Sequence, residues 1–236
     1  MSEHISSAFD RDLEAVQALV VKMGGMVEQQ IVDAASALEN RDADLARSVQ
    51  LQDKAIDLLE EQINEEAARL IALRAPVSRD LRLALSVIKI SASLERAGDY
   101  AKNIAKRTQV LLEVPAVNGS PKALRRMAVA VEGMLKDALD AYIQRDAKLA
   151  NDVRDRDIEV DQMYNALFRE FLTYMMEDPR NITACMHLHF IAKNIERMGD
   201  HATSITEQVI YLVTGEAPDE ERPKRSSVTK LEETEE

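Results

Sequence analysis

Leu94-Glu95-Arg96-Ala97-Gly98-Asp99-Tyr100-Ala101-Lys102-Asn103-Ile104 returns in altered form as Ile195-Glu196-Arg197-Met198-Gly199-Asp200-His201-Ala202-Thr203-Ser204-Ile205. Each segment carries Glu-x-x-x-Asp, which on a helix sets two carboxylates one turn apart on the same face, where like charges repel by about 0.2–0.5 kcal/mol. Each also places a glycine directly before the Asp, at a mid-helix cost of about 1 kcal/mol relative to Ala. Two local penalties at matching positions of two copies point to a shared purpose. The simplest is a bound cation at a place where something packs closely.

Working outward from the first copy, apolar residues at helical spacing define the third of three helices, from Ala75-Pro76 to about Glu113, with Ile90, Leu94, Ala97, Ala101, Ile104 and Leu111 facing the core. Pro76 ends the preceding helix and suits the first turn of this one. The second helix is read from Asn40-Arg41-Asp42, a break that also supplies an N-cap, through Ile56, Leu59, Ile63 and Leu70. The first spans about Ile5 to Glu39, with a bend expected at Gly24-Gly25. The same pattern surrounds the second copy. Helix four carries Leu124, Val131, Leu135, Leu139 and Tyr142, helix five runs from the Asp146 cap to Glu177, and helix six follows Asp178-Pro179 and ends at Gly215.

The segment Val114-Pro115-Ala116-Val117-Asn118-Gly119-Ser120-Pro121 is the clearest linker. An all-α fold of two tandem three-helix bundles follows, six long antiparallel helices in an internal repeat: residues 1–114, residues 121–215, and an unfolded acidic tail at 216–236. Composition agrees, since 46% hydrophobic residues with only 4% aromatic and no Trp is the profile of a helical bundle. A net charge of -12 argues against non-specific binding to nucleic acid or anionic lipid. The start, Met1-Ser2-Glu3-His4-Ile5, lacks a basic segment followed by an apolar run, and no stretch reaches the roughly 18 apolar residues of a membrane span. A cytoplasmic protein is expected. Cys185, the single cysteine, reads as a core filler.

A second acidic pair precedes each glycine segment: Asp53 and Asp57 in the first half, Asp157 and Asp161 in the second. Helices joined by a short turn run antiparallel, so residues equidistant from the turn lie side by side. Asp53/Asp57 and Glu95/Asp99 each stand about 20 residues, roughly 30 Å, from Ala75-Pro76. Asp157/Asp161 and Glu196/Asp200 stand about as far from Asp178-Pro179. Four carboxylates at one height repel unless they point apart or enclose a cation. The plain alternative is a solvated face with local partners, Lys102 for Asp99 and Lys193 for Glu196. Two features favour metal: the carboxylates of helix three prolong a second apolar stripe, Leu81, Leu85, Ile88 and Ala92, and the arrangement occurs twice. All-carboxylate donors favour Mg, Mn or Fe, with Zn less natural.

At these residues the chain resembles the PhoU family, the accessory and regulatory proteins of bacterial phosphate uptake. The resemblance runs from helix one to Gly215 and is most specific at Asp80-Leu81-Arg82, at the two glycine segments and at Val209-Ile210-Tyr211-Leu212-Val213-Thr214-Gly215. It implies two three-helix bundles related by a pseudo-twofold axis, and metal clusters on Glu95, Asp99, Glu196 and Asp200 with Asp53, Asp57, Asp157 and Asp161 as hairpin partners. One departure is Ser204, where the family has an Asn such as Asn103. It further implies negative regulation of the phosphate-starvation response, between the ATPase subunit of a phosphate ABC transporter and a sensor histidine kinase. A homodimer, attached peripherally to the inner membrane through those partners, belongs to the same picture.

Two rival readings stand beside it. A carboxylate-bridged metalloenzyme would suit four acids on a bundle, but the Glu-x-x-His element of ferritin-like sites is missing. His187 and His189 read as satisfied bundle residues, and His201 points about 100° from Asp200. A metal-free adaptor would instead dock a partner's basic patch on its acids. Arg96 and Arg197 are assigned to pairing with neighbouring helices, with phosphate binding as the alternative role.

Overall fold

Six helices follow one another among the described residues: α1 (Ser2–Asn40), α2 (Ala43–Arg74), α3 (Arg79–Leu112), α4 (Ser120–Gln144), α5 (Ala147–Glu177) and α6 (Ile182–Thr214). The computed structural model describes residues 2–117 and 119–218, with side chains from Phe9 onward. Most of the proposed acidic tail, 219–236, therefore lies outside the described residues, as does Asn118 in the linker.

The turns repeat. Arg41 and Arg145 both take left-handed backbone (φ 54), and the aspartate after each caps the next helix. Asp42 accepts from the backbone N–H groups of Asp44 and Leu45, and Asp146 from those of Lys148 and Leu149. Each side chain thus satisfies donors that the first helical turn leaves without a partner, worth about 1 kcal/mol per cap. The α2–α3 turn departs from expectation, because α3 begins at Arg79 and Pro76 stays outside it. A residue before proline is disfavoured in right-handed helical backbone. Ala75 instead closes α2 in the left-handed region (φ 43), and a second positive φ at Ser78 (φ 50) delays the restart. Pro179 opens a short 3-10 turn, Pro179–Asn181, before α6, and Gly215 (φ 83) closes α6.

Helices α1, α2 and α3 pack on one another, and so do α4, α5 and α6. The two bundles join through α1 against α4 and α3 against α6, which leaves α2 and α5 on the outside. One continuous apolar core runs through both, from Phe9, Val20 and Ile31 past Ile90 and Leu94 to Met134, Phe171 and Ile195. The second stripe of α3 stays at the surface, with Leu85 and Ala92 exposed and Leu81 and Ile88 half-buried.

Gly24-Gly25 is not a break. Helix α1 continues through both residues, and α4 packs closely on Gly24: a Cβ there would lie 2.3 Å from Cδ1 of Leu139. A Cβ on Gly25 would meet nothing within 4 Å. The neighbours should therefore respond oppositely. Gly25→Ala is expected to stabilise by about 0.5–1 kcal/mol, through the restricted unfolded chain and better helix propensity. Gly24→Val is expected to cost about 1–3 kcal/mol through overpacking against Leu139. Thermal melts of the two variants check this, and changes of the same sign would contradict the packing.

Candidate functional site

The two glycines of the repeated segments lie where α3 and α6 approach their own bundles. A Cβ on Gly98 would sit 3.1 Å from Oε1 of Gln30 on α1 and 3.3 Å from Cδ1 of Ile56 on α2. One on Gly199 would sit 3.3 Å from Oδ1 of Asp157 and 3.6 Å from Cγ1 of Val160, both on α5. Glycine thus draws each inner helix close to the outer helix that carries the other acids. The counting argument for a shared level is met in both halves.

In the first half, Asp53 is buried at 4% exposure on α2, and the Lys102 ammonium donates to it across the helix pair. The same ammonium donates to Asp99 at 2.7 Å. Asp57, half-buried one turn from Asp53, is pushed above the usual carboxylate range by burial first and then by Asp53; Lys102 works against the shift, and Asp99 and Glu60 add to it. Burial, then Asp99, raises Glu95 to about 6. Arg96 approaches Glu95 and Asp99 from the outside, at 3.5 Å to each. Beside it a cleft of about 290 Å³ opens, lined by Glu60, Ala92, Ser93, Glu95, Arg96 and His201.

The second half is arranged differently. Glu196 is raised by burial, with Lys193 opposing and Asp200 and Asp161 adding to the shift. Lys193 donates to Oε1 of Glu196 at 2.6 Å, while Oε2 is buried without a hydrogen-bond partner. Thr203, four residues beyond Gly199 as Lys102 is beyond Gly98, is buried and turns its hydroxyl to the Asp200 carbonyl. Ser204 does the same at 2.9 Å, so neither hydroxyl is spent on a carboxylate.

Among the described residues, no three His, Cys, Asp or Glu side chains gather in a way that could hold a metal ion. The acids share a level but do not converge on one point. The first half does not fit the expected ion, because its donor set already encloses an ammonium. The second offers one orphaned buried oxygen, on Glu196, while Asp157, Asp161 and Asp200 have interactions of their own.

At the junction of the bundles, Tyr100 and His201, matching positions of the two segments, stack their rings 5.7 Å apart. Arg197 lies 5.9 Å over Tyr100, and Arg107 lies 4.3 Å over Phe190 and 3.4 Å from Nδ1 of His187. Arg197 thus meets a neighbouring helix as expected, whereas the ion pairs of Arg96 among the described residues, with Glu95 and Asp99, run along its own. His189 is not satisfied as expected: it packs among Tyr164, Phe168 and Phe190 with its Nδ1 buried and unpartnered. Cys185 is buried, in keeping with a core filler. Gln30 was missed. It is fully buried and donates to the Val49 carbonyl at 3.2 Å, and its place beside Val27 and Ile31 on the core stripe was the available signal.

A family model described as the PhoU domain matches twice, over residues 20–108 and 124–209. The chain belongs to the PhoU family. Relatives named phosphate-specific transport system accessory protein PhoU homolog include one from Caulobacter vibrioides, 48% identical over 95% of this chain and 97% of its own length. Another, from Rhizobium meliloti, is 47% identical over 97% and 96%. Among solved structures, PhoU from Pseudomonas aeruginosa superposes with a TM-score of 0.86 at 41% identity, covering 88% of this chain and 100% of that one. The phosphate transport system regulatory protein PhoU from Streptococcus pneumoniae gives 0.83 at 31%, covering 89% and 99%. The fold of this PhoU-family chain is thus two PhoU repeats in tandem, as its duplicated segments implied.

Two outcomes follow from the geometry. Lys102→Met should cost about 2–3 kcal/mol, since it leaves Asp53 charged and buried beside other acids, the partly wetted ammonium moderating the loss. Adding Asp53→Asn should recover much of it, and additive effects in a double-mutant cycle would contradict the pairing. For His189, burial and Lys193 hold the ring below the ordinary histidine range. Its folded pKa is depressed, so the stability is present above the unfolded value of about 6.5 and is lost as pH falls through the folded one. His189→Phe should flatten the stability profile below about pH 6.5; an unchanged acid limb in urea titrations would count against it.

Proposed function

We propose that this chain is a negative regulator of the phosphate-starvation response. In this reading it joins the ATPase subunit of a high-affinity phosphate ABC transporter to a sensor histidine kinase, and holds the starvation regulon off when phosphate is plentiful. The observation that carries the reading is the evenness of the kinship: at 48% identity it spans 224 residues, nearly end to end, with relatives named for phosphate-specific transport. The work is docking and not bond-breaking, and the acting unit is a homodimer in the cytoplasm, attached to the inner membrane through its partners. No described helix is long and apolar enough to cross a membrane.

The metal part of the proposal rests on the second bundle. Asp157, Asp161, Glu196 and Asp200 would hold a hard cation, Mn, Mg or Fe ahead of Zn, whose positive charge would stabilise neighbouring carboxylates. The buried Oε2 of Glu196, without a partner, supports this. A metal-free adaptor reading is favoured at the first bundle by Lys102, which already supplies a cation to Asp53 and Asp99.

A pull-down with the tagged chain from phosphate-replete membranes should recover the transporter's ATPase subunit and the kinase, and deletion of the gene should raise starvation transcripts whatever the phosphate supply. Recovery of neither partner, with transcripts unchanged, would remove the proposal.

A further inference from the structure

We infer that the cavity beneath the linker is a binding site for a small amphipathic anion, a single apolar chain or ring carrying one carboxylate or phosphate head. The inference stands apart from the proposed function and from both acidic clusters.

Pro115 cannot join the hydrogen-bond ladder of α3, and Pro121 suits the first turn of α4, so the chain crosses between the two helices in irregular backbone. Val117 turns inward on this path, at 7% exposure, but the linker does not close on the helices beneath it. A cavity of about 350 Å³ is left between the linker, the last turns of α1 and α3, and the first turns of α4 and α6. Its floor is apolar, with Leu38, Leu111, Val117 and Leu188 all buried. Protein interiors hold few voids larger than a water molecule, so an opening of this size among leucines departs from ordinary packing. The volume lies near the low end of small-molecule pockets, about 300–1,000 Å³, which admits one chain and not the two of a bilayer lipid.

The rim fixes the sign of the ligand. Glu39, Arg41 and Lys122 stand there, and Glu39 is already matched by Arg125 at 2.6 Å. Arg41 donates to the carbonyls of Leu112 at 2.9 Å and Val114 at 3.2 Å, which are neutral partners and leave its charge uncancelled. Both bonds leave from Nη2, which holds two of the five guanidinium donors. Lys122 is exposed in the first turn of α4, where the N-cap Gly119 has no side chain to cap the helix, so the positive end of that helix adds the same sign. A chain with a net charge of -12 thus presents a local cationic rim above an apolar floor. An apolar body would cover Leu111 and Leu188 while its anionic head meets Arg41 and Lys122.

Isothermal titration of the full-length chain with decanoate and with decyl phosphate, each below its micelle concentration, tests this. Saturable binding of one molecule per chain is expected for at least one of them, about tenfold tighter than for its eight-carbon analogue because two fewer methylenes would be buried. The methyl resonances of Leu111 and Leu188 should shift in step with that binding. Lys122→Glu should weaken it at least about tenfold. Ala184→Met, which fills the cavity from α6, should abolish it; if that variant melts early, Ala116→Trp on the exposed linker fills the cavity from the other side. No saturable binding of either anion, equal binding of decyltrimethylammonium, or binding unchanged in the filled variants would overturn the inference. Loss of the transporter subunit from Ala116→Trp pull-downs, with neither anion bound by the unaltered chain, would assign the cavity to a protein side chain and overturn it as well.

Discussion

Like charges cannot be brought together at partial burial without a counter-charge, and this constraint governs the structure around its two glycines. The repeated segments draw α3 against α2 and α6 against α5, which sets acids from two helices at one level in each bundle. A charged pair at about 4 Å interacts by about 4 kcal/mol at an effective dielectric near 20, so an uncompensated set would open the helix pair or take up protons. The first bundle answers with Lys102, although burial and Asp99 still lift Glu95 to about 6. The second places Lys193 at the edge of its acids and leaves one oxygen of Glu196 buried without a partner. Duplication gave both halves the same problem, and each answers it with a lysine at a different place, Lys102 after the glycine of the first and Lys193 before that of the second.

Placement in the fold explains why such clusters are tolerated. Helices α2 and α5 pack only within their own bundles, while the inner helices α1, α3, α4 and α6 carry the junction between them. The acids sit where α2 meets α3 and α5 meets α6, all but the buried Asp53 partly wetted, and the continuous apolar core below them is left intact. The junction carries its own chemistry: Tyr100 on His201 and Arg107 on Phe190 tie α3 to α6 along their length. Tyr100 directly follows Asp99 and His201 directly follows Asp200, so each acidic level adjoins the seam between the halves.

Much of this was legible in the chain. Arg41-Asp42 and Arg145-Asp146 announced both hairpins because a capping aspartate directly follows the break, and the acids could be levelled by counting residues from each turn. What escaped lies in side-chain direction. Lys102 was visible as a partner for Asp99 at three residues' spacing, but that spacing says nothing of Asp53 on another helix. Gly24-Gly25 reads as a bend, although only the neighbouring helix reveals that Gly24 serves close approach. Pro76 was placed inside α3 because proline suits a first turn, whereas its restriction of Ala75 and the positive φ of Ser78 push the start to Arg79. His189 escaped because an aromatic pocket with an unpartnered nitrogen has no sequence signature.

The central claim, that a lysine already neutralises the first cluster, is most directly tested on the Lys102 ammonium itself. Its nitrogen resonance would be followed by NMR in the intact chain beside those of the exposed lysines. The account predicts a Lys102 ammonium whose protons exchange slowly enough to be observed near neutral pH, and whose signal is lost in Asp53→Asn. A Lys102 signal like those of the exposed lysines, or one unmoved by Asp53→Asn, would contradict it.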